Sequence, residues 1–201
     1  MRHLVIAAAT VAAALTLAAC GTSSPTAAPS TAGSMPMMTT APAAAGDHNQ
    51  ADVMFAQMMI PHHEQAIEMA QLASTRASSA DVKALAAQIQ AAQQPEIDEM
   101  KGWLASWGVP TMPNNTGHNM PGGMMNNDDM AELEGLSGAE FDGEFLTAMT
   151  THHQGAIDMA EAEQANGSYE PAKTMAANII RTQTDEINKM AELLKALPTI
   201  E

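Results

Sequence analysis

Four histidines stand as two adjacent pairs, His62-His63 and His152-His153. Each pair has a methionine three residues before its first imidazole and another seven after it: Met59 and Met69, then Met149 and Met159. Imidazole nitrogen suits copper, zinc, iron and nickel, whereas a thioether selects Cu(I). A thioether has no proton to exchange, so it keeps hold of a soft cation where imidazole and thiolate must compete with protons. Core packing alone accounts for any one of these methionines, and burial with a satisfied partner accounts for a lone histidine. Recurrence of the same dipeptide with the same sulfur spacing is what points to ligands. We expect His62, His63, Met59, Met69, His152, His153, Met149 and Met159 to form an N/S set for copper. Cu(I) is favoured, and the imidazoles leave other transition metals open.

The elements that must carry these residues are set by an internal repeat. Residues 52–104 align without a gap on 142–194 at a constant offset of 90, and 19 of the 53 pairs are identical. Two copies are too few for a solenoid. They fit two helical hairpins pairing into one all-α four-helix bundle. Phe55, Met59, His62, Ala66, Met69 and Ala73 step by four and three, a helical seam, as do Ile89, Gln93, Glu96, Met100, Trp103 and Trp107. Ser137-Gly-Ala-Glu140 reads as a capping box. Gly108 and Gly167 read as stops, and Pro171 as a helix start. The spacing predicts helices near 50–76, 80–106, 138–165 and 170–196. Pro61 and Pro95 fall inside the first two, where kinks are expected.

Register then brings further groups to the histidines. If the first hairpin turns near Ser78, His62 lies level with Gln93 and Glu96; a turn near Ser168 puts His152 level with Gln183 and Glu186. These four are candidates to orient the imidazoles, or else plain surface residues. Adjacent helical residues point about 100° apart, so His62 and His152 should face the bundle axis and His63 and His153 its flank.

Residues 109–136 are a long linker in which Met112, His118, Met120, Met124, Met125 and Met130 lie among Gly, Pro and Asn. No periodicity predicts their burial, so His118, Met120, Met124 and Met125 are expected to capture metal in solvent. At the other end, residues 1–19 carry Arg2 and an apolar run too short to span a bilayer, followed by the chain's one cysteine, Cys20. Leu17-Ala18-Ala19-Cys20 resembles a bacterial lipobox. That resemblance implies cleavage before Cys20, its lipidation, and a membrane-anchored lipoprotein of the cell envelope, outside the cytoplasm. Residues 20–49, rich in Ser, Thr, Ala and Pro, read as a flexible tether. A single cysteine excludes an internal disulfide. With 8 basic against 23 acidic residues the net charge is -15, which disfavours nucleic-acid partners.

The stretch Met59-Ile60-Pro61-His62-His63 through Ala66-Ile67-Glu68-Met69-Ala70, with its second copy from Met149 to Ala160, resembles the family called domain of unknown function 305. That family includes copper metallochaperones of the CopM type. The second copy departs from the motif in having Thr150 where the first has Ile60. The resemblance spans roughly 50–197 and implies a ferritin-like four-helix fold in the envelope, with copper as ligand. A binding protein rather than an enzyme is therefore expected. A di-metal oxidase on such a bundle needs Glu-x-x-His on two helices, and no Glu-x-x-His occurs in the chain. A metal-free structural or partner-binding module is the remaining alternative, and no protein partner can be named.

Overall fold

A computed structural model describes residues 47–112 and 122–198. They form α1 (Gln50–Arg76), α2 (Ala80–Trp107), α3 (Asn127–Gly135), α4 (Gly138–Asn166) and α5 (Glu170–Ala196). The four long helices are those the periodicity predicts. α1 packs on α2 and α4 on α5, and the two hairpins meet mainly through α1 against α4. Among the described residues no helix is long and apolar enough to cross a membrane.

Local chemistry explains where the helices begin and end. The Asn49 side chain accepts hydrogen bonds from the Ala51 and Asp52 amides, and the Asp52 carboxylate accepts one from the Asn49 amide, a complete capping box for α1. Gly108 ends α2 in the left-handed region, at φ 69°. Pro171 lies in the first turn of α5. The capping box expected at Ser137 does not form: Ser137 makes no side-chain cap hydrogen bond. Gly138, at φ 67°, turns the first peptide out of the array of amides that a cap must address. Pro61 and Pro95 lie within unbroken α1 and α2.

The linker is also corrected in part. Its second half is helical, because Asn126 accepts from the amides of Asp128 (2.8 Å) and Asp129 (3.0 Å) and caps α3. α3 lays Met130 and Leu133 against a cluster that includes Met69, Ala73, Phe141 and Phe145. Met125 and Met130, expected in solvent, are 7% and 8% exposed.

A pseudo-twofold relates the hairpins, and buried carboxylates enforce it. Asp142 accepts from the Ser78 amide (3.1 Å), the Ser78 hydroxyl (2.5 Å) and the Ser79 amide (2.9 Å). Its repeat mate Asp52 accepts from the Ser168 amide (3.0 Å) and hydroxyl (3.2 Å) and the Tyr169 amide (2.9 Å). Each hairpin thus caps the turn of the other. The apolar core divides into two clusters, one around Phe141, Phe145 and Met149, the other around Met59, Ile97 and Met100.

Candidate metal centre

The histidine pairs sit midway along α1 and α4, where the two helices cross. All four imidazoles are 0–1% exposed. The His62 and His152 rings meet at a centroid distance of 3.7 Å and an angle of 40°, as the seam predicts. His63 and His153 turn to the flanks as expected, yet are equally buried, because each is covered by the glutamate of its own hairpin. His63 Nε2 lies 2.8 Å from Glu96 Oε2, and His153 Nε2 lies 2.7 Å from Glu186 Oε2. The glutamates meet the flank imidazoles: Glu96 is bonded to His63, while His62 Nε2 goes to the Gly122 carbonyl.

These bonds fix tautomers. A carboxylate or carbonyl can only accept, so Nε2 of His63 and His153 must carry the proton. His62 Nε2 likewise donates to the Gly122 carbonyl at 2.7 Å. Nδ1 of all three is buried and without a partner, and neither ring nitrogen of His152 has one. Gln93 and Gln183, one turn before the glutamates, are 2% exposed and also hold unpartnered atoms. Eight of the ten unpartnered buried side-chain atoms among the described residues belong to these six residues. Buried polar groups without partners are scarce in folded proteins, and eight at one level mark a layer built for something else to satisfy.

Electrostatics keep the layer basic in the Lewis sense. Burial pushes His62 down to about 3, against the pull of its bond to Gly122 and with the help of His63 and His153. Burial, then the neighbouring His62, His153 and His63, hold His152 well below the ordinary imidazole value. Both rings are neutral at pH 7, with lone pairs free for a cation. Among the described residues no three His, Cys, Asp or Glu side chains are grouped to hold an ion. Imidazole nitrogen is the donor this layer offers, and it suits copper among the transition metals.

The sulfurs split. Met59, Met69 and Met149 are fully buried, Met59 in one apolar cluster and Met69 and Met149 in the other. Met159 is only partly buried and lines a surface groove between α1 and α4. Met125 is tied to the fold by Gln65, whose amide donates to the Met125 carbonyl (2.7 Å) and accepts from its amide (2.8 Å). Met124 is half-buried beside it. His118, Met120 and Cys20 lie outside the described residues. Sequence reasoning missed the contact that brings the linker to the layer. Gly122, at φ 83°, crosses α4 in backbone contact with Gly155, where a Cβ would lie 1.6 Å from the Gly122 carbonyl oxygen. A glycine in the second repeat where the first has Gln65 was its only signal.

Residues 52–194 match the family described as domain of unknown function, DUF305. The chain belongs to the DUF305 family. This DUF305 domain is similar to a DUF305 protein of Streptomyces coelicolor at 32% identity, with TM-score 0.67 over 73% of this chain and 93% of that one. It is similar to a DUF305 fragment from Deinococcus radiodurans at 31% identity, with TM-score 0.68 over 74% and 98%. It is also similar to CopM in a Cu(II)-bound form, at 34% identity and TM-score 0.63 over 72% and 96%, and in Cu(I)- and silver-bound forms at 33% and 32%. No curated protein matches the chain.

Proposed function

We propose that this DUF305 domain is a copper-binding protein of the cell envelope that carries the metal as cargo, with monovalent copper taken up in the imidazole layer. One observation carries the reading. Three buried imidazoles have Nε2–H committed to Glu96, Glu186 and the Gly122 carbonyl, and Nδ1 of each has no partner within the protein. A carboxylate behind a ligating histidine fixes its tautomer and raises its basicity. CopM, solved with Cu(I), Cu(II) and silver, lends the choice of metal. We propose binding and no reaction at the layer. The leader before Cys20 supports export and lipid anchoring, and the tether would hold the bundle off the membrane.

The test is Cu(I) titration against a competing chelator, on the full chain and on the H63Q/H153Q variant, with circular dichroism to verify folding. Loss of the tight site, by at least a hundredfold in affinity, is expected. The E96Q/E186Q variant should lose about tenfold to a hundredfold, the usual effect of an orienting partner. Unchanged binding in a folded H63Q/H153Q protein would sink the reading.

A further inference from the structure

The repeat makes one difference between the hairpins informative. On one side of the histidine layer α3 covers the trough between α1 and α4; on the other no described residue covers it, and the trough forms a groove of about 530 Å³. Its wall carries Met54 and Met58, one helical turn apart on α1, and Met159 on α4. Met54 is 51% exposed, one of two large hydrophobic residues so exposed among the described residues. The repeat does not require sulfur there: the mates of Met54 and Met58 are Glu144 and Ala148. Glu163 lines the groove, 1% exposed, and its carboxyl oxygens have no partner beyond the adjoining Asp52 carboxyl. Its mate is Ala73, so this oxygen pair too is peculiar to the open side.

From these groups we infer that the groove is a second cation site, distinct from the imidazole layer, in which the thioethers of Met54, Met58 and Met159 hold a monovalent soft ion beside the Glu163 carboxyl. Thioethers on two helices facing one cavity supply soft donors that discriminate against hard cations. The exposed Asp158 on the same wall adds attraction for positive charge. The inner end of the groove is Gly122, which lies against both the Met159 methyl and the His62 ring. The choice of ion rests on the copper reading above, whereas the placement of the site rests on the groove alone.

The experiment uses Ag(I) as probe, because it does not change oxidation state in buffer. The full chain is labelled with ¹³C at the methionine methyls, and Ag(I) is added to wild type, to M54L/M58L/M159L and to H63Q/H153Q. In wild type, the methyl signals of Met54, Met58 and Met159 should shift together, while that of Met69, sealed under α3, stays put. The triple leucine variant keeps the apolar groove and should bind one ion fewer. In H63Q/H153Q the three shifts should persist. Still methyls in wild type, or undiminished stoichiometry in the leucine variant, would overturn this site and leave the imidazole layer standing. Shifts that persist with no loss of affinity in H63Q/H153Q would remove the imidazole layer and leave the groove.

Discussion

The two halves of this bundle start from the same hairpin and end differently. On the covered side the trough is lined by Phe141, Leu72 and Ala73; at the matching positions of the open side stand Ala51, Ala162 and Glu163. Bulky apolar groups on the first give α3 a surface on which to bury Met130 and Leu133, and Gln65 holds the incoming linker by both arms. Smaller side chains and a carboxyl leave the second without that surface, and Gly155 in place of Gln65 lets the linker pass at backbone contact without pinning it. Duplication thus yields one trough spent on stability and one left for chemistry, with the histidine layer between them.

The clamp aspartates test this asymmetry most strongly. D142A removes three hydrogen bonds and strands two amides at the start of α2, which should cost about 3–5 kcal/mol in urea unfolding. D52A strands as many donors and also removes the partner of Glu163, whose carboxyl is pushed up to about 8 by burial and by a hydrogen bond shared with Asp52. Its cost should be larger by about 1 kcal/mol, and the gap should close in an E163A background, a double-mutant cycle on one contact. Equal costs in both backgrounds would show that Glu163 does not distinguish the halves.

Core truncation comes next. Leu133 is fully buried, so L133A should lose about 2–4 kcal/mol. M54A, on the open side, should change stability by no more than about 0.5 kcal/mol. If M54A destabilised as much as L133A, the open groove would be core in disguise.

What could be read from residues alone follows from symmetry. The offset of 90 gave the hairpins, the crossing of the histidine pairs and the facing of Glu96 and Glu186, because each depends on register within a hairpin. It also held the clamps, as Asp52 with Ser168 and Asp142 with Ser78, but a carboxylate that reaches across to the other hairpin shows no periodicity. Misplaced were the residues whose setting the linker decides. Met159 was set beside Met69 as its equal, yet α3 seals one and leaves the other in a groove. The cap of α3 was there in Asn126-Asn127-Asp128-Asp129, obscured by the Gly, Pro and Asn around it.

Titration separates the layer from the groove at smaller amplitude. Glu163 is raised from 4.5 to about 8, so between those values the folded protein holds a proton that the unfolded chain has released. By linkage its contribution is most favourable below pH 4.5 and is lost as pH rises through about 8. His62 is lowered from 6.5 to about 3; its contribution is complete above 6.5 and is lost as pH falls toward 3. Melting temperature across pH 4–9 should therefore lose part of its alkaline decline in E163Q and part of its acid decline in H62Q. A swap of those two effects would reverse the assignment.

The smallest effect belongs to the ends. Where the open side meets the start of α1, the His48 ring stacks on Trp107 at 4.2 Å and 10°, and Trp107 meets Tyr169 edge-on at 5.3 Å. The matching positions on the covered side, Gly138, Leu197 and Ser79, carry no such rings; there Arg76 donates to the Leu136 carbonyl at 3.3 Å instead. A stacked pair near the surface is worth about 0.5–1 kcal/mol. H48A should cost that much and shift the fluorescence of Trp107, while L197A leaves the emission unchanged. A loss several times larger would mean that the aromatic end, rather than the Asp52 clamp, fixes where α1 begins.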